Sequence, residues 1–174
     1  MDEMLTWNPK KDVLKPYLAR DDTRTASRVA LGRIWLAAGE PARALELAET
    51  AHGEDPQAAP PMALALELMS STPAAEPLVT RYLALPGAEF SVRLAYARVL
   101  TALQRYADAV TQFEQVTREQ PALAPPLLSL GALKLELHEP AAAETVLLRY
   151  VHLVQERGAA AAAPDPQAES DPLT

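Results

Sequence analysis

The sequence predicts an all-α fold of the solenoid class: a right-handed array of antiparallel helix pairs, about four repeats plus an N-terminal half-repeat. Three observations carry this. Gly32, Ala65, Ala97 and Gly131 place a small residue at steps of 33, 32 and 34. Ala44, Ala75, Ala109 and Ala143 form a second ruler, with steps of 31, 34 and 34. Two parallel rulers of this length describe one helix pair repeated. Composition agrees, since 49% of the 174 residues are hydrophobic but only 5% are aromatic. Ala and Leu, both strong helix formers, dominate, and no stretch alternates apolar and polar for long.

The punctuation of the first repeat is legible residue by residue. Asp22 and Thr23 are N-cap candidates ahead of an apolar-periodic run through Val29, Leu31, Ile34, Trp35 and Leu36. Gly39 supplies a stop, and Pro41 suits the first turn of the partner helix. That helix carries Ala44, Leu45, Leu47, Ala48 and Ala51 and ends near Gly53 and Pro56.

The second repeat has an almost wholly apolar first helix, about Pro61 to Ser71. Thr72-Pro73 then opens a partner that runs to about Leu85, before Pro86-Gly87. Ala65 and Ala75 are two residues closer than their counterparts, which predicts a tight inter-helix turn. In the third repeat, Leu94, Ala97 and Leu100 share one helix; Ala109, Phe113 and Val116 share the next, and Pro121 closes it. The fourth runs from about Ala124 through Leu127, Leu130, Gly131 and Leu135; Pro140 then opens a helix with Ala143, Val146, Leu147 and Tyr150.

The two ends differ. Residues 9–20 have the shape of a second helix without its first: Tyr17 falls in the register of Tyr82 and Tyr150, and Asn8-Pro9 would cap it. Pro16 interrupts it. A chain that begins mid-repeat is expected to be a piece of a longer array. After Gly158 the text turns to Ala, Pro and acidic residues, too poor in large apolar groups to offset ordering entropy. The expected organisation is a helical repeat domain over 1–158 and a flexible tail over 159–174, the alanine run adding a turn or two to the last helix.

Charge narrows the function. The net charge is −7 and the pI is near 5, and no run of Lys and Arg offsets this, so a nucleic-acid partner is not expected. Cysteine is absent, which removes disulfides, thiolate metal sites and a cysteine nucleophile. No run reaches the apolar length of a membrane span, and the acidic start MDEMLTW is unlike a secretory signal. The compartment stays open between cytoplasm and periplasm. The Ala, Leu, Arg and Pro bias fits a GC-rich bacterial genome.

Chemistry-bearing groups are sparse. His52, His138 and His152 lie far apart in the repeat frame, and none forms the i, i+4 pair of a helical metal site. At helix ends they are expected to cap or face water. Glu76 and Glu144 recur beside the ruler alanines, a structural or solvent-facing placement. There is no GxSxG and no phosphate-cradling glycine loop. Neither an enzyme, a metal nor a cofactor is expected.

On these residues the chain resembles the tetratricopeptide repeat family. Leu31-Gly32, Trp35, Ala44, Ala51 and Pro56 fit its pattern in the first repeat. Tyr96-Ala97, Leu100, Ala109, Phe113 and Pro121 fit in the third, and Leu130-Gly131, Ala143 and Leu147 in the fourth. The second departs in length and in Leu64-Ala65. The resemblance covers residues 9–157 and implies a protein or peptide partner held, as a helix or extended segment, in a groove lined by first helices. The implied lining is Val29, Arg33 and Leu36, then Met62, Leu66 and Met69, then Leu94, Arg98 and Thr101, with Leu128, Ala132 and Leu135 from the fourth repeat. Lys and Asn, which family members use to grip a C-terminal carboxylate, are missing from these places. What is expected is an apolar floor with two arginines able to fork onto a carboxylate. The alternative is an internal structural stretch of a longer superhelix without a site of its own. Exposed repeat ends would then be places of self-association.

Overall fold

Prolines and left-handed turns decide where each helix starts and stops. The computed structural model describes residues 24–162. It contains α1 (Arg24–Ala37), α2 (Pro41–Glu54), α3 (Pro60–Leu68), a 3₁₀ turn (Pro73–Ala75) that leads into α4 (Glu76–Leu83), α5 (Phe90–Ala102), α6 (Tyr106–Glu119), α7 (Ala124–Glu136) and α8 (Pro140–Ala162). The half-repeat expected at 9–20, the caps Asp22 and Thr23, and residues 163–174 of the expected tail lie outside the described residues. The alanine run continues α8 to Ala162, the extension beyond Gly158 that the helix propensity of alanine leads one to expect.

Pro opens α2, α3, α4, α7 and α8 at the first or second position, where its missing N–H has no intrahelical acceptor to lose. The first helices of repeats one, three and four end alike. Gly39, Gln104 and His138 adopt positive φ of 79°, 59° and 60°. The next residue of each donates its N–H five residues back: Glu40 to Trp35, Arg105 to Leu100 and Glu139 to Lys134, at 2.9, 2.9 and 2.8 Å. This is the Schellman closure. The second repeat is two residues short and lacks it. There α3 ends at Leu68, earlier than its apolar run suggests. Thr72 donates its N–H to the Leu68 carbonyl at 2.7 Å, and the 3₁₀ turn takes up the chain before α4.

Both rulers are interior. Ala44, Ala65, Ala75, Ala97, Ala109 and Ala143 are fully buried, and Gly32 and Gly131 are buried. The fold class is the α-solenoid, helix pairs in succession, and the residues group into two compact units. One ends at Arg105 and the other begins at Tyr106, so the third sequence repeat contributes a helix to each.

In unit 1, α3 touches α1, α2, α4 and α5. A helix contacted on so many sides must be apolar nearly all round, and its Met62, Leu64, Ala65, Leu66 and Leu68 are all buried. Leu31, Val79, Tyr82, Tyr96 and Leu100 complete that core. The Tyr82 hydroxyl accepts the Glu89 N–H at 3.2 Å, fixing the α4–α5 turn. His52, expected to cap a helix end or face water, is buried, edge-on to Tyr82 with ring centroids 6.4 Å apart. In unit 2, α7 packs on α6 and on α8, around Phe113, Val116, Leu127, Leu130 and Ala143.

Candidate functional site

The first helices of unit 1 pack side by side, α1 on α3 and α3 on α5. Of the side chains expected to line their groove, Val29, Met62, Leu66 and Met69 are core, none more than 7% exposed. This corrects the expectation of an open apolar floor. Because α3 packs against α1, α2, α4 and α5, its Met and Leu residues fill the space between helices. Leu36, Leu94 and Thr101 are half-buried, and Arg33 and Arg98 are exposed. Thr101 turns its hydroxyl back to donate to the Ala97 carbonyl at 2.9 Å. In unit 2, Leu128, Ala132 and Leu135 of α7 are exposed.

The two arginines are not equivalent. Arg33 donates through Nε and Nη2 to Glu67 on α3, at 3.1 and 2.8 Å. That hydrogen bond holds its guanidinium above the usual arginine pKa, against a smaller opposing effect of burial. Arg33 therefore stitches α1 to α3. Its partner was findable in the sequence, since Glu67 stands 34 residues on, one repeat step. Arg98 has no ion-pair partner among the described residues.

The surface beside Arg98 is made of small side chains. Ala30, Ala63 and Ala95 occupy one equivalent position in three successive repeats and are half-exposed; Ala37, Ser70 and Ala102 occupy another and are exposed. Ala59, Pro60, Ala63 and Leu66 of the α3 region and Glu89, Ser91, Val92 and Ala95 of the α5 region enclose a cleft of about 420 Å³. At its lip Ser91 Oγ donates to Glu89 Oε2 at 3.0 Å.

Glu76, the carboxylate beside a ruler alanine, is structural. It accepts from Arg105 at 2.7 Å and from the Tyr96 hydroxyl at 2.5 Å. The Arg105 hydrogen bond is the main reason its pKa lies below the usual carboxylate range, with Tyr96 adding to it against burial. A carboxylate held by two donors is poorly placed to accept a substrate proton. Among the described residues no three His, Cys, Asp or Glu side chains come together as metal ligands, and no helix is long and apolar enough to cross a membrane.

No family model and no curated protein matches the chain. Solved structures do. Two crystal structures of MamA superpose with TM-scores of 0.65 and 0.63, at 16% and 15% identity. The first match covers 90% of this chain and 87% of MamA, the second 85% and 88%. PilF of Pseudomonas aeruginosa superposes at TM-score 0.54 and 21% identity, over 76% of this chain and 62% of that one. MamA and PilF are proteins of the tetratricopeptide repeat type, and the likeness supports a tetratricopeptide-like fold here.

Proposed function

We propose that this chain is a non-catalytic interaction module that holds a polypeptide segment against the first-helix face of unit 1. The observation that carries the reading is the register of small side chains on that face. Folding asks only that solvent-facing helix positions be helix formers, and Lys, Glu or Arg would serve nearly as well as Ala. Instead Ala30, Ala63 and Ala95 repeat across α1, α3 and α5, and beside them stand Ala37, Ser70 in the turn after α3, and Ala102. Side chains this small let another backbone lie close while little rotamer entropy is lost. The cleft between the starts of α3 and α5 accepts an apolar side chain, and Arg98, without an ion-pair partner among the described residues, offers a cation for a carboxylate. The solenoid class supports the reading, since arrays of helix pairs present extended surfaces.

Panning random displayed peptides on the immobilised protein tests this. The expected winners share an apolar residue near an acidic one. Ala63→Trp and Ala95→Trp fill the cleft and lose them, while Arg98→Glu loses the acidic preference. Peptides retained equally by all three variants would remove this face as the binding site. The second reading, an internal stretch of a longer array, draws support from an apolar surface on α8.

A further inference from the structure

Unit 2 leaves that surface uncovered. Leu135 on α7 is 50% exposed and Leu148 on α8 is 63% exposed, with Val151 and Val154 following at helical spacing. Leu135, Leu147, Leu148 and Val151, with Pro140 and Glu144, line a depression of about 310 Å³. One repeat earlier the same positions are closed. Phe113 and Thr117, 34 residues before Leu147 and Val151, are buried where α7 lies over α6. Glu114, the counterpart of Leu148, accepts from Lys134 of α7 at 3.0 Å. The covering element in this chain is thus a helix with an apolar side and a cation at its edge, and no described helix follows α8.

Charge indicates what fits the open face. The cations of the α7–α8 hairpin are engaged elsewhere: Lys134 with Glu114 and Glu139, Arg149 with the Pro121 carbonyl, Arg157 with that of Ala122. Glu136 and Glu144 have no partner among the described residues, and Glu144 lines the depression. Two such faces meeting symmetrically would set carboxylate on carboxylate. The opposite chemistry stands in residues 9–20 of the same sequence. Lys10, Lys11, Lys15 and Arg20 outweigh Asp12 there, and the sequence spaces Val13, Leu14, Tyr17 and Leu18 as the apolar positions of an amphipathic segment are spaced. Three of the chain's four lysines lie in that stretch.

We propose that copies of this chain associate head to tail, residues 9–20 of one copy seating on the apolar, acid-edged α7–α8 face of the next. The contact is heterologous, so each added copy presents a fresh face. Sedimentation velocity of the full chain tests it. Wild type associates as its concentration rises, and less so in high salt. The variant Leu148→Glu/Val151→Glu and the variant Lys10→Glu/Lys11→Glu/Lys15→Glu are each monomeric, with helical circular dichroism retained. Mixed together, the two form a dimer that grows no further, because each supplies the half the other lacks. A wild type that stays monomeric at every concentration overturns the proposal and leaves the face to a further repeat or another protein. Association that survives Leu148→Glu/Val151→Glu overturns it as well. A mixture that stays monomeric excludes the head-to-tail arrangement.

Discussion

Leu147 lies over Gly131 so closely that a β-carbon on the glycine would stand 2.5 Å from Leu147 Cδ2 and 2.6 Å from its Cγ. The branch point itself is in the way, so turning the terminal methyls about χ2 does not clear the space. Gly131→Ala gains up to about 1 kcal/mol of helix propensity but overpacks the α7–α8 crossing by about 1–3 kcal/mol. A net loss of stability in urea unfolding is expected. Leu147→Ala in the same molecule should lessen the effect of Gly131→Ala, a coupling that a double-mutant cycle reads directly. Gly32 makes the contrast. Its β-carbon would clash with the tip of Leu64 alone, the Ala44 carbonyl oxygen at 3.5 Å and the Leu64 Cγ at 3.6 Å being in ordinary contact, so Gly32→Ala should cost less. Equal losses at the two sites would contradict this account of the crossings.

His138 is held at φ 60° in the closure that Gly39 makes at φ 79°. An L side chain in this region costs about 1 kcal/mol or more relative to glycine. His138→Gly should therefore stabilise unit 2 by about 1 kcal/mol, whereas His138→Ala, which keeps a β-carbon, should not. Gln104→Gly should do the same for unit 1. Thermal unfolding of the three variants checks the claim. Equal gains from His138→Gly and His138→Ala would mean that the left-handed turn is not the source.

These cases mark how far the sequence could be read. The rulers were legible because two helices can cross closely only over small residues, and that demand repeats with the fold. The closures at Gln104 and His138 were hidden, since only Gly39 carries the usual residue for a left-handed turn. On the candidate face the arginines and the repeat positions were readable, but the state of Met62, Leu66 and Met69 was not. A helix that is apolar all round reads the same whether its residues face a groove or a neighbour, and here the neighbours decide. The alanine register at Ala30, Ala63 and Ala95 was present in the sequence but merges with an Ala-rich composition until exposure separates it from the core. His52 likewise looked like a helix-end residue. Its place one turn beyond Ala48 on the buried stripe was the available sign.

That buried histidine gives unit 1 a pH dependence of definite sign. Burial, with the nearby Arg81 charge adding to it, lowers the His52 pKa from its ordinary value near 6.5. Its Nδ1 is buried with no hydrogen-bond partner among the described residues, and Tyr82 meets the ring edge-on, so no described group there accepts from a protonated Nδ1. Above about pH 6.5 the imidazole is neutral in the folded and unfolded chain alike, and the shift contributes nothing. Below it the unfolded chain takes up a proton that the folded chain resists. The unfolded state then binds more protons, and stability falls as pH drops. The fall ends once the pH passes the lowered folded-state value. Urea unfolding between pH 7.5 and 5.5, a range above ordinary carboxylate titration, should show the decline in wild type. His52→Leu should flatten it, whatever its effect on stability at pH 7.5. A variant that keeps the full wild-type slope would assign the pH dependence to other groups.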